Sequence, residues 1–309
     1  MTTVNVGCIL LGMSTLEGSR RRSLIGLAER CGLDHVAVGD HVSFVVGAGF
    51  DGLLGATSIL SVAERMSSNT AVYLLPLRHP VAVARQLGDI AGLAPGRFVF
   101  GVGIGGEDPH EVEICGVDPR TRGRRMDEAL QIVRQLLTGE PVDFQGTHFT
   151  LRAAQIVPAP TVPIPIVVGG RSDAALRRAG RFGDGWFGIW VSAARYGQSV
   201  QAMEAAAEDV GRVVPSWLNA LNVWVGIDEN PVVARQYVAP VMTSFYGIPY
   251  ERFERWSPAG PAEHIAEFLV PYVEAGCHLF NLIVNGPTRE QEIEAAAEVR
   301  RLLRAAVGS

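Results

Sequence analysis

The chain has 309 residues, 48% of them hydrophobic, enough to bury a large core in one unit, and a single domain over residues 1–309 is expected. Its 27 basic residues against 32 acidic ones leave a formal charge of -5, which speaks against a nucleic-acid surface. No apolar run approaches the roughly 20 residues that cross a bilayer, and no secretory leader pattern opens the sequence, so a soluble cytoplasmic protein is expected.

Short apolar runs alternate with helical patterns, the mark of βαβ units and a parallel sheet. VNVGCILL predicts the first strand, followed by a helix from about Ser19 on which Leu24, Ala28 and Cys31 share a face and which Gly32 ends. HVAVGD predicts the second strand, ending at Asp40, and an irregular segment then leads to a helix near residues 56–66. NTAVYLL predicts the third, whose helix starts with Pro80 at the favoured first position. RFVFGVG predicts the fourth, with a helix from about Gly123 to Leu137 that turns Met126, Leu130 and Val133 to one side. VDFQGTHFTL reads as a small hairpin turning at Gln145 and Gly146, an insertion between strands 4 and 5. IVVGG is the fifth strand, and Ser172 is the N-cap of the helix after it. DGWFGIW and LNALNVWVGI are the sixth and seventh. A long segment to about residue 258 comes before strand 8, and its stretch SFYGIPYERFERW suggests a lid or subunit contact rather than core. HLFNLIV is the eighth strand, and Thr288 and Gln291 open the last helix in capping-box spacing. Eight strand–helix pairs predict an α/β fold, a closed (β/α)8 TIM barrel.

The composition removes several chemistries. There is no lysine, so Schiff-base aldolases, pyridoxal-phosphate enzymes and Walker A nucleotide sites are excluded. Cys8, Cys31, Cys115 and Cys277 are far apart, which suggests buried thiols rather than a zinc site or a disulfide framework. The glycines at 101, 103 and 106 spell GxGxxG, but a dinucleotide loop needs its third glycine to open a helix onto a pyrophosphate. Here Glu107, Asp108 and Pro109 put carboxylates where an anion would sit.

Barrel active sites are built at the C-terminal ends of the strands. Those ends carry Gly39, Asp40 and His41; Pro76, Arg78 and His79; residues 103–111; and Gly169, Gly170, Arg171 and Ser172. His41 suits proton exchange beside a ligand, the alternatives being a structural histidine or a metal ligand. A metal would need a third and usually a fourth ligand, and no HxH pair appears, so no metal site is assigned. The glycines of GVGIGG and VVGG could admit a flat ligand close to the backbone, or only make tight turns. Arg171 and the helix start at Ser172 could hold the phosphate of a mononucleotide-type cofactor.

Two long stretches, LPLRHPVAVARQLGDIAGLAPGRFVFGVGIGGEDPHEVEICGV with RRMDEAL after it and PIVVGGRSDAALRRAGRFGDGWF, resemble the luciferase-like monooxygenase superfamily. Its members are barrels that bind FMN or the deazaflavin coenzyme F420, and the resemblance covers nearly the whole chain. Within it, GDHV resembles the F420-dependent branch. The resemblance implies that Asp40 contacts the cofactor, that His41 transfers a proton, with Glu107 as a second acid, and that a non-proline cis peptide near Ala71 and Val72 supports the ring. Gly105 and Gly106 would lie beside the ring, His110 joins the cofactor-binding set, and Gly169 and Gly170 would border the sugar chain or phosphate with Arg171 and Ser172. Bacterial luciferases place an arginine on the FMN phosphate where this chain has Ile104, and sugar-phosphate dehydrogenases use a tryptophan and lysines where it has Phe44 and none. The expected activity is an F420-dependent oxidoreductase moving a hydride between the deazaflavin C5 and a small apolar or neutral substrate. The alternatives are an FMN-dependent monooxygenase fed by a separate reductase, a cofactor-binding barrel without turnover and a metal-dependent hydrolase. A homodimer is expected, with no nucleic-acid or membrane partner.

Overall fold

The computed structural model describes residues 3–308 except 46, 106 and 107. Eight strands form a closed parallel barrel: β1 (Asn5–Ile9), β2 (His35–Val38), β3 (Ser67–Thr70), β4 (Phe98–Gly103), β5 (Ile166–Gly169), β6 (Gly185–Ile189), β7 (Ala220–Ile227) and β8 (Leu279–Asn285). Each pairs with the next in chain order, β4 and β5 included, and β8 returns to β1, so the sheet closes as a (β/α)8 TIM barrel. The strands are largely buried on both faces, which is why most of them read as near-continuous apolar runs; β3, Ser67–Thr70, is polar yet buried.

Ten helices lie among the described residues: α1 (Gly18–Arg30), α2 (Gly52–Leu60), α3 (Pro80–Leu93), α4 (Pro109–Ile114), α5 (Arg122–Leu136), α6 (Asp173–Phe182), α7 (Ala193–Glu208), α8 (Pro231–Tyr246), α9 (Ala262–Glu274) and α10 (Arg289–Val307). On α5 the expected Met126, Leu130 and Val133 are fully buried, with Ala129 and Leu136 beside them. Inside the barrel a polar network joins four strands: His35 Nε2 meets Asn281 Oδ1 at 2.7 Å, and the Asn281 amide donates to Asn69 and Asn222. Burial pushes the Cys8 and Cys277 thiols up to about 12, while Cys31 and Cys115 are half-buried. No helix of the described residues is long and apolar enough to cross a membrane.

The structure departs from the sequence expectations in the connections. The third strand does not run through to Leu74: it stops at Thr70, the Ala71–Val72 peptide is cis, and Tyr73–Leu74 then pairs with β4. Helix α2 begins at Gly52 rather than near 56, because the Asp51 carboxylate accepts from the Leu53 and Leu54 amides and caps it. The segment between β2 and α2 is not irregular but an antiparallel hairpin of His41–Phe44 with Ala48–Phe50. The second hairpin, Val142–Gln145 with Thr150–Ala154, lies where expected, although its turn spans 146–149, closed by the Gly146 amide on the Phe149 carbonyl. The long segment before β8 is mostly regular: α8, two short 3-10 turns, a strand Ala259–Gly260 beside β7, and α9. Its aromatics are partly core, contrary to expectation, since Tyr250 and Phe253 are buried in a cluster with Trp224, Val238 and Met242, and Tyr250 donates its hydroxyl to the Ser257 carbonyl at 2.7 Å.

Candidate active site

The ends of β2 and β3 are tied together by one carboxylate. Asp40 is 2% exposed, and its Oδ1 accepts from the Gly52 amide at 2.9 Å and from Arg78 Nη2 at 2.8 Å. Its Oδ2 accepts from the Leu74 amide at 2.8 Å and from Arg78 Nη1 at 2.6 Å. These four donors match the acceptor capacity of a carboxylate. Arg78 also stacks over the Tyr73 ring at 4.4 Å and comes within 3.6 Å of Asp51. Burial pushes the Asp40 carboxyl up, against the opposing pull of Arg78 and the two amides, and Asp40 in turn keeps Arg78 protonated in spite of burial. The carboxylate expected to contact a cofactor thus holds the start of the His41 hairpin against the turn that follows the cis peptide.

His41 stands at the first position of that hairpin, with its side chain 18% exposed. Its Nδ1 lies 3.0 Å from Glu111 Oε2, and Glu111, 2% exposed on α4, also accepts from the Val42 amide at 2.6 Å and the Ser43 amide at 3.1 Å. A carboxylate facing Nδ1 assigns the proton to that nitrogen and leaves Nε2 as the nitrogen free to exchange one. Asp108 makes the same kind of contact farther along, accepting from the Val45 amide at 2.7 Å, and that amide holds its carboxyl below the usual range. Asp108 and Glu111, after the GxGxxG, therefore grip hairpin amides rather than leaving room for an anion.

The glycines at the strand ends make room for a side chain of the protein itself. A Cβ on Gly103 would come 2.4 Å from Val72 Cγ2, and one on Gly169 would come 3.0 Å from Val72 Cγ1. Val72, placed by the cis peptide, is thus wedged between the ends of β4 and β5. Gly170 has φ 129, and its carbonyl accepts the Trp186 indole N–H at 2.6 Å. Gly105 has φ 67, and a Cβ there would rest 3.4 Å from Leu74.

An aromatic wall runs from His41 across the barrel mouth. The Phe44 ring is 4.2 Å from the His41 ring and 5.3 Å from Phe245. Phe245 continues to Tyr246 at 4.8 Å, Tyr246 to Trp190 at 4.6 Å, and Trp190 to Phe253 at 4.7 Å. Trp190 follows β6 at φ 50, a region that favours glycine, and its buried indole N–H has no hydrogen-bond partner. Arg171 stacks over the Trp190 ring at 5.2 Å, and the Ser172 hydroxyl caps α6 by accepting from the Ala175 amide at 3.3 Å, which leaves its own O–H to donate.

The barrel brings Asp40, His41, Ala71, Val72, Gly105, Gly169, Gly170, Arg171 and Ser172 to one end, since Gly169 closes β5 and the others follow the C-terminal ends of β2 to β5. His110 is exposed on the first turn of α4, and its amide donates to Asp108. Gly106 and Glu107 lie outside the described residues. Among the described residues no group of three or more His, Cys, Asp and Glu is placed to hold a metal ion. Sequence reasoning includes Glu111 only as the last of the strand-end residues 103–111, without a role, and misses Phe245 and Trp190 as site residues. The one signal for Glu111 is an acid in the first turn of a helix just past a strand end, and nothing in the sequence links it to a histidine 70 positions earlier.

Residues 13–274 match the family model described as luciferase-like monooxygenase. The chain belongs to the luciferase-like monooxygenase family. An uncharacterised relative from Mycobacterium tuberculosis is 37% identical over 163 residues, which is 53% of this chain and 56% of the relative, so the chain spans little more than half the length of this relative. A relative from Kineococcus radiotolerans, named an F420-dependent glucose-6-phosphate dehydrogenase, is 27% identical over 90% of both chains. Among solved structures, an F420-dependent secondary alcohol dehydrogenase in complex with an F420-acetone adduct superposes with a TM-score of 0.82 at 21% identity, covering 98% of this chain and 99% of the other. A monooxygenase from Streptomyces bottropensis superposes with the same score at 18% identity and the same coverage. At these identities the structures show the shared barrel fold.

Proposed function

We propose that this chain is an oxidoreductase that uses coenzyme F420 to exchange a hydride with a small neutral or apolar organic substrate. The observation that carries the reading is the His41–Glu111 pair at the end of β2, with Nδ1 held at 3.0 Å by a buried carboxylate. The name of the Kineococcus relative, which aligns over 90% of both chains, favours F420 over FMN. When bound, the deazaflavin supplies a two-electron hydride donor or acceptor.

The residues present fit such a group. The unpartnered indole N–H of Trp190 offers a donor to a ligand acceptor at the barrel mouth, and Arg171 beside it offers charge to an anionic chain. Ala71, Val72, Gly105, Gly169 and Gly170 would form the floor, while Gly106, Glu107 and His110 are assigned by resemblance. Asp40 and Arg78 hold that floor in place. His41 delivers or receives a proton at Nε2, and Glu111 keeps the ring oriented and compensates the imidazolium when it forms. Phe44 and Phe245 beside His41 exclude water, which strengthens the polar contacts within the site.

The substrate class follows from what the site lacks and what surrounds it. No lysine exists to meet a sugar phosphate as the lysines of the resembled sugar-phosphate dehydrogenases do, which leaves Arg171 beside Trp190 for the anionic part of the cofactor. A cavity of about 340 Å³ lies against Gly39 and mixes the apolar Ile9, Leu10, Met13, Phe50 and Leu54 with the polar Thr15, Arg21, Asp51 and Ser58, room for a small molecule with a few polar groups. A homodimer in the cytoplasm belongs to the same proposal and is read by sedimentation. The activity test is anaerobic oxidation of reduced F420 against a panel of carbonyl, imine and alkene substrates, with His41→Ala as control. Turnover that drops by about 100-fold or more in the variant supports the assignment. Oxygen uptake that needs reduced FMN and a reductase, with no F420 turnover, overturns it.

A further inference from the structure

Beyond the mouth of the barrel, a second feature carries a proposal that rests on the deazaflavin reading. A cleft of about 780 Å³ opens beside Arg171 and is walled by the segment after α8, including Arg252, Phe253, Arg255 and Trp256. Three guanidinium groups border it. The Arg171 guanidinium carbon lies over the Trp190 ring at 5.2 Å, and that of Arg255 over Trp256 at 3.9 Å. Among the described residues none of Arg171, Arg252 and Arg255 forms an ion pair, although Glu251 and Glu254 line the same cleft. The cleft's own acids, Glu251 and Glu254, are instead both engaged by Arg235, at 2.8 and 2.9 Å. Positive charge is therefore left in excess along this wall, on a chain whose formal charge is -5. In an acidic protein such a strip attracts anions rather than serving solubility.

The strip begins where the barrel site ends. Trp190 touches both sides: its ring is stacked by Arg171 and lies 4.7 Å from Phe253, a residue of the cleft wall, and its buried N–H has no partner. A ligand seated at the strand ends and leaving past Arg171 would pass onto Arg252 and Arg255. Guanidinium groups stacked on aromatic rings are pre-oriented to pair with carboxylates and phosphates at small entropic cost.

We propose that this cleft binds the anionic tail of the cofactor, the chain of phosphate and carboxylate groups that F420 carries beyond its deazaflavin riboside. The tail would be read by charge and not by shape, since the arginines are exposed, and the contacts would set cofactor choice rather than chemistry. FMN, with one phosphate and no such tail, would reach Arg171 at most.

The test compares two probes on the whole protein: F420 bearing several glutamates, and the tail-less deazaflavin riboside. Both are titrated by fluorescence against the wild type and against the Arg252→Glu, Arg255→Glu double variant, at low and moderate salt. Reversing two exposed charges is expected to weaken F420 binding by about tenfold, with riboside binding unchanged and the variant less sensitive to salt. A thermal melt matching the wild type shows that the exposed substitutions leave the fold intact. If F420 and the riboside bind the wild type equally well, or the double variant binds F420 as the wild type does, the cleft is no tail site, while the deazaflavin reading stands. If neither probe binds, both proposals fall.

Discussion

Replacing Asp40 with asparagine distinguishes a clamp from a cofactor contact. The substitution keeps the shape of the side chain but removes its charge and one acceptor oxygen. The single remaining carbonyl can serve the Gly52 amide or the Leu74 amide, and the new NH₂ would face a guanidinium now held at 2.6 and 2.8 Å. Breaking a buried pair from one side costs about 3–5 kcal/mol, because the other charge stays buried without its counter-ion. Arg78 keeps the Tyr73 ring at 4.4 Å and Asp51 at 3.6 Å, which places the expected loss near the low end, about 3 kcal/mol. Urea denaturation followed by tryptophan fluorescence reads it, with Arg78→Met and the double variant alongside. The double variant should lose less than the sum of the two singles by at least about 1 kcal/mol, since it leaves neither charge stranded. A loss below about 0.5 kcal/mol in Asp40→Asn, with weakened cofactor binding, would show the carboxylate to be a ligand contact and the clamp argument to be wrong.

Three further outcomes are expected. Glu111→Gln turns a donor toward Nδ1 of His41 and so reverses the ring's tautomer; F420-linked turnover should fall by about 100-fold with the melting temperature little changed, and full retained rate would remove Glu111 from the site. Gly103→Ala sets a methyl group 2.4 Å from Val72 Cγ2 and should cost about 1–3 kcal/mol in denaturation, a loss that Val72→Ala in the same chain recovers; absence of rescue would mean that the clash lies elsewhere. Burial lowers the pKa of His35, so below the ordinary histidine value of about 6.5 the unfolded chain takes up a proton that the folded chain refuses. Stability should therefore fall as pH drops from about 7.5 to 5.5, approaching a slope of about 1.4 kcal/mol per pH unit from this residue. His35→Gln should flatten the profile, with His278, shifted the same way by burial, leaving a smaller slope; identical profiles would contradict the assignment.

The barrel was legible because its strands are buried on both faces, so that LNALNVWVGI and HLFNLIV stand out as apolar runs and the helices between them keep a 3.6-residue period. What was not legible depends on contacts between distant residues. Nothing local in NTAVYLL stops the strand at Thr70; the break is fixed by Asp40 on the Leu74 amide and by Val72 between Gly103 and Gly169. The glycines at 103 and 169 were visible, but their purpose, space for a side chain of the same protein, required the fold. His41 could be singled out from its place after a strand, whereas Glu111 could not, because only the fold brings α4 against the hairpin. The aromatics of SFYGIPYERFERW looked like a surface element by composition, yet Tyr250 and Phe253 are buried and Phe245 completes the wall beside His41. A composition count cannot tell which rings face inward.

The central claim is that the barrel mouth is built for a deazaflavin. Its most direct test is a side-by-side fluorescence titration of the purified apo-protein with oxidised F420 and with FMN under the same conditions. The account predicts binding of F420 at concentrations where FMN does not bind. Binding of FMN in preference to F420 would contradict it and would turn the search toward oxygen-dependent chemistry with a reductase partner.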